Sequence, residues 1–232
     1  MNMKNKTPNR RAVIFDVDGV LVDSYQAHFD SWQRLADERG CHKLTATEFL
    51  ETFGRTSREI IAELWPGAPL ADHEIAALDD YKEELFRDVL RSRFQAMPGA
   101  AALIDALHAA NFSIAAGSSG PPDNVYLVLD LLQRRDRFDA IVTGTDVTRG
   151  KPDPEVFLTC ARRLDIPPHR CAVIEDAMVG VEAANRAGMT SIALVTPPRN
   201  PDMFQHADHI VRSLTELDPT TIRSWLDRKT PG

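Results

Sequence analysis

With 232 residues, 43% of them hydrophobic and 26% charged, the chain has an ordinary globular composition and length for one domain, or one domain carrying an insertion. A formal charge of -7 argues against a nucleic-acid partner but leaves room for a locally positive pocket that takes a small anion. Cys41, Cys160 and Cys171 are too few and too scattered for a disulfide framework or a zinc site, and read as reduced thiols. The basic start (Lys4, Lys6, Arg10, Arg11) leads into an apolar run too short for a signal peptide, and no stretch reaches membrane-spanning length. The expected setting is therefore cytoplasmic, with no membrane partner.

The first predicted element is a buried strand over residues 12–15, where a short apolar run is bounded by polar residues. Asp16 and Asp18 follow at its end, and Gly19 allows a sharp turn after them. Two such close acids repel each other unless a cation or a shared proton compensates, so metal binding or acid/base work is their natural use. Residues 24–39 carry a helical stripe of Tyr25, Phe29, Trp32 and Leu35, with Ser24 as N-cap and Gly40 as stop. Further helices are expected over 48–53, 57–65 and 74–90, punctuated by Gly54, Pro66, Gly67 and Pro69. Without a strand pattern, residues 24–95 read as an inserted helical cap domain, flanked by a core of residues 1–23 and 96–232.

After Pro98-Gly99 the pattern alternates. Helices are expected over 101–110, 125–133, 154–164 and 179–187, strands over 112–116, 140–143, 171–174, 191–195 and 210–211, and a partly helical tail over 214–226. Repeated strand–helix units imply an α/β fold with a doubly wound parallel sheet, Rossmann-like, with helices on both faces. Polar groups gather just after four of the strands: Asp16 with Asp18, Ser118 with Ser119, Lys151 with Asp153, and Glu175 with Asp176. In such sheets ligands bind outside the carboxyl ends of the strands, so these distant groups can meet in one site.

Together these motifs resemble the haloacid dehalogenase superfamily, and within it the β-phosphoglucomutase-like branch with a small helical cap. Asp16-Val17-Asp18-Gly19-Val20 is similar to the first motif, Ser118 to the second, Lys151 in Gly150-Lys151-Pro152-Asp153-Pro154 to the third, and Glu175-Asp176 to the fourth. The resemblance implies that Asp16 is the nucleophile, forming an aspartyl-phosphate, and that Asp18 is the general acid/base. It implies Mg2+ held by Asp16, the Asp18 carbonyl, Glu175 and Asp176, with phosphate bound by Ser118, Ser119 and Lys151. Dehalogenating members lack the second aspartate, so Asp18 favours phosphoryl transfer. Phosphonate hydrolysis in a sister family needs a cap lysine, and none lies between Thr45 and Tyr81.

Three cap residues bear on the reaction. His28 is similar to a mutase histidine, Arg58 to an arginine that grips a distal phosphate, and Lys82 falls near a lysine that contacts the sugar. Guanidinium suits bidentate phosphate contact. Against a mutase, Gly120 and Pro121 stand where the mutase loop continues with a serine and a lysine. The expected activity is hydrolysis of a small phosphorylated metabolite, a sugar phosphate, by a monomer or weak dimer. The alternative is a β-phosphoglucomutase-type mutase.

Overall fold

The computed structural model describes residues 10–52, 57–64, 69–197 and 199–229. The chain divides into two compact units, one running to Val22 and resuming at Ala96, the other Asp23–Gln95.

The first unit is a six-stranded parallel sheet. Its strands are β1 (Ala12–Phe15), β2 (Ser113–Gly117), β3 (Ala140–Val142), β4 (Cys171–Glu175), β5 (Thr190–Leu194) and β6 (His209–Val211), in the order β3-β2-β1-β4-β5-β6. The second unit holds α1 (Tyr25–Arg39), α2 (Ala46–Glu51), α3 (Ser57–Leu64) and α4 (Asp72–Ser92). Back in the first unit come α5 (Ala100–Ala109), α6 (Pro122–Leu131), α7 (Glu155–Leu164), α8 (Met178–Arg186) and α9 (Pro219–Lys229). This is the α/β doubly wound architecture that the alternation implies. Among the described residues, no helix is long and apolar enough to cross a membrane.

All four residues of β1 are buried, because helices cover both faces of a central parallel strand. On one face Ile14, Ala115, Val142 and Val173 pack with Phe157 and Cys160 of α7 and Ala183 and Ala184 of α8. Burying a side chain such as Phe157 contributes about 2–3 kcal/mol, so α7 anchors the sheet through its apolar stripe. Sheet order fixes where chemistry can occur. The chain builds outward from β1 to β3, then returns to lay β4 against the other side of β1. That reversal opens a crevice at the carboxyl ends of β1 and β4, and Phe15 pairs with Ile174 so that Asp16 and Glu175 emerge side by side.

The helical unit has its own core, in which Trp32 and Leu35 of α1 meet Leu44, Phe49, Ile60, Ile61 and Leu85. Element ends differ from the sequence expectations where local capping decides. α2 starts two residues early, because Thr45 and Glu48 form a reciprocal capping box. α6 starts at Pro122, proline being tolerated in a first turn. Ser24 makes no side-chain cap to α1. The tail is a short turn, then α9 with Asp218 accepting from the Thr220 and Thr221 amides. The predicted helix ends at Phe53 and Trp65 fall outside the described residues.

Candidate active site

Asp16 follows β1 directly, and its amide donates to the Ile174 carbonyl of β4 at 3.0 Å, which ties the two strand ends together. Glu175 is the last residue of β4. Its Oε1 accepts from the amides of Asp176 and Ala177 at 3.1 and 3.0 Å, so the side chain curls back over the start of α8. Lys151 spans the two strands, donating to Asp16 Oδ1 at 2.5 Å and to Glu175 Oε2 at 2.7 Å. Its own loop is held from behind: Glu155 Oε2 accepts from the Thr148 amide and hydroxyl and from the Arg149 amide. The Lys151–Pro152 peptide is cis.

The acids are crowded and buried. Asp16, Glu175 and Asp176 are 6%, 1% and 6% exposed, and one oxygen from each lies within 4.8 Å of the others. Burial, then the Glu175 charge, holds the Asp16 carboxyl well above the usual carboxylate range, against the pull of Lys151. Burial likewise pushes Asp176 up to about 7, although Arg199 opposes the rise. Burial works to lower the Lys151 ammonium, but the charges of Asp16 and Glu175 outweigh it and hold the group above its ordinary value. Lys151 pairs with Asp16 and Glu175 and Arg199 with Asp176, and the charge of Asp18 reaches the group from beside it, so four acids stand against these two cations.

Two glycines make room for this cluster. A Cβ on Gly19, which has φ +75°, would lie 1.9 Å from Asp176 Oδ2, and a Cβ on Gly180 would lie 2.0 Å from Glu175 Oε2. Asp18 is half-buried, and its Oδ2 lies 3.8 Å from where a Cβ on Gly120 would stand. Asp18 Oδ2 thus lies beside the Ser118–Gly120 turn, and Asp18 is not one of the three carboxylates that gather within 4.8 Å. In that turn the buried Ser118 hydroxyl accepts from the Gly120 amide at 2.9 Å, which leaves its proton to donate. Ser119 is exposed.

Asp16, Asp18, Ser118, Lys151, Glu175 and Asp176 therefore come together at the ends of β1, β2 and β4 or on the loop beside them, while Ser119 follows Ser118 in the turn with its side chain exposed. Arg199, Gly180 and Glu155 were missed. Arg199 donates to Asp176 Oδ2 at 2.5 Å from the loop after β5. Its signal was a lone cation following a strand of the same sheet, on the same rim.

The remaining three belong to the helical unit. Lys82 is only 2% exposed; it donates to Glu83 Oε1 at 2.8 Å and lies 3.0 Å from His28 Nδ1. An ammonium can only donate, so His28 accepts at Nδ1 and carries its proton on Nε2. The ring stacks on Phe86, centroids 3.9 Å apart. Lys82 is thus enclosed within its own unit, where a solvated position on a charged helix is the ordinary expectation. Arg58 is exposed and pairs with Asp79 at 3.0 Å.

Acids at a strand switch point, bridged by one lysine and backed by a serine turn, make a candidate α/β active site built on carboxylates. Comparison with known proteins makes the class specific. A family model described as haloacid dehalogenase-like hydrolase matches residues 10–188, and the chain belongs to that family. It is 34% identical over 217 residues to the β-phosphoglucomutase of Bacillus subtilis, covering 89% of this chain and 91% of that one. It is 30% identical over 217 residues to the validoxylamine A 7'-phosphate phosphatase of Streptomyces hygroscopicus subsp. limoneus, covering 89% and 95%. The β-phosphoglucomutase structure from Clostridium difficile superposes with a TM-score of 0.82 at 25% identity, covering 94% and 98%.

Proposed function

We propose that the protein is a Mg2+-dependent phosphatase that hydrolyses a small phosphorylated metabolite, a sugar phosphate, through an aspartyl-phosphate. The observation that carries this reading is the separation of the two first-motif acids: Asp16 sits among the carboxylates under Lys151, while Asp18 lies beside the Ser118 turn. This separation supports a division of labour in which Asp16 attacks and Asp18 moves a proton.

The donor set suits magnesium, since three buried carboxylates offer only oxygen and carry an excess of negative charge. Asp16, Glu175, Asp176 and the Asp18 carbonyl would hold the ion, which when bound supplies charge that offsets the meeting of an anionic nucleophile with an anionic substrate. With Oδ1 held by Lys151, the other Asp16 oxygen attacks phosphorus. The bond to the sugar oxygen breaks, and Asp18 gives that oxygen its proton. Asp18 then takes a proton from water, the water oxygen bonds to phosphorus, the bond to Asp16 breaks, and phosphate leaves. The Ser118 hydroxyl, with Ser119, donates to the phosphoryl oxygens, and Lys151 balances their charge. The helical unit would supply substrate selection through Arg58 and through His28, which Lys82 holds.

The test is phosphate release from a panel of sugar phosphates. Release is expected to stop on chelation and to fall at least about 10^4-fold in Asp16→Asn, the scale seen when a nucleophile is removed. An Asp16→Asn variant as active as the wild type sinks the reading. The tautomer that Lys82 imposes on His28 favours a second reading, a sugar-phosphate mutase, because a mutase needs a donor fixed against the sugar. Priming with a sugar bisphosphate distinguishes the two, since only the mutase yields an isomerised sugar phosphate faster than free phosphate.

A further inference from the structure

We propose that Arg199 is a built-in counter-ion of the carboxylate cluster, competing with the divalent cation for Asp176 and so setting how tightly the cation is held. This rests on the metal-dependent reading above.

Two geometric facts carry it. First, Arg199 is aimed at the cluster: its amide donates to the Thr196 carbonyl at 3.0 Å, which holds its backbone close to the end of β5, and Nη2 reaches Asp176 Oδ2 at 2.5 Å. Second, Asp176 cannot retreat, because it is fixed between β4 and the start of α8, and Gly19 closes against the same Oδ2 so tightly that a Cβ does not fit. Guanidinium and metal therefore contend for one confined carboxylate.

The two cations of the site are not equivalent. Lys151 is held by two carboxylates, with its side chain 9% exposed. Arg199 sits on a loop with its side chain 26% exposed, a route by which it can turn toward solvent. A guanidinium does not deprotonate in proteins, so repulsion between it and an arriving cation is relieved only by movement. Removing it raises the excess of acids over cations from two to three, which strengthens attraction for a divalent ion. An arginine that merely oriented Asp176 as a ligand predicts the opposite sign.

The experiment is calorimetric titration of Mg2+, and separately of Mn2+, into the full-length protein at low ionic strength, with thermal melts of the same samples. Arg199→Gln is expected to bind either ion about three- to tenfold more tightly, the scale of one partly screened charge pair. Its metal-free melting temperature should fall and its rise on adding Mg2+ should grow. Arg199→Met should behave like the glutamine variant if that one folds poorly. Arg199→Lys, which keeps the charge, should stay within about twofold of wild type. Arg91→Gln, a charge-matched change on an exposed pair in the helical unit, should leave binding unchanged.

Unchanged or weaker binding in both neutral variants overturns the proposal. If wild type binds the ion, Asp176→Asn loses it and Arg199→Gln matches wild type, the counter-ion role alone is wrong. If wild type binds no divalent ion, the metal-dependent reading fails and this proposal falls with it.

Discussion

Each unit of the molecule buries a lysine against carboxylate, and the two settings differ in what they leave over. In the helical unit the account closes locally: Lys82 meets Glu83, His28 takes a second donor position, and the Ser57 hydroxyl donates to Glu83 at 2.8 Å. Lys82 is matched by Glu83, and Asp79, which feels both charges, has its own partner in Arg58. In the sheet unit Lys151 and Arg199 stand against Asp16, Asp18, Glu175 and Asp176, and acids remain in excess. A balanced buried pair can hold a neighbouring ring in one orientation, as Lys82 holds His28. An unbalanced cluster is costly on its own and is sustained by what it binds. The comparison separates a lysine that positions a ring from one set among surplus acids, the setting that the proposed chemistry would use.

The contrast breaks most visibly at Lys151. Lys151→Met should lower the hydrolysis rate by about 10^3-fold, because it removes charge stabilisation of the phosphoryl group and leaves two buried carboxylates without their shared cation. Steady-state kinetics with an active sugar phosphate measure this, and a loss below tenfold would mean that Lys151 only holds the strands together. Lys82→Met comes next. Breaking a buried pair costs roughly 3 kcal/mol of stability, and urea unfolding should report it. Lys82→Met with Glu83→Leu should regain most of the loss, since an apolar replacement of both partners is close to neutral. A double variant as unstable as the single would show that the pair is not the balanced unit described. Arg58→Gln should do least to stability, under about 0.5 kcal/mol for an exposed pair. If Arg58 grips substrate, its KM rises while unfolding is unchanged; an unaltered KM removes it from the binding surface.

Much of the fold and site was legible in sequence because the signals are local. A short apolar run ending in acids marks β1, and the same pattern marks β4, so Asp16 and Glu175 could be placed on one rim before any coordinates. What was not legible depends on packing across elements. Gly180 reads as an ordinary helix glycine until Glu175 is seen folded over it. Lys82 reads as one charge among many on α4, and only its enclosure by Trp32, Phe86 and Glu83 shows it is buried. Arg199 lies outside the four motifs, and its meaning comes from the return of one loop to Asp176. Helix starts shifted for a related reason, because caps such as Thr45 with Glu48 are decided by a few hydrogen bonds that apolar periodicity does not record.

The strand order has a consequence for how the protein is made. Asp16 lies 135 residues from the lysine that neutralises it, and β1 finds its second neighbour only when β4 has been synthesised. Through most of translation the first strand is an apolar segment ending in acids that lack their partners. Pairings this distant form slowly, and a nascent chain that exposes them is open to aggregation. The carboxylate cluster is therefore a late product of folding, complete only once the loop bearing Arg199 has left the ribosome and closed on the sheet.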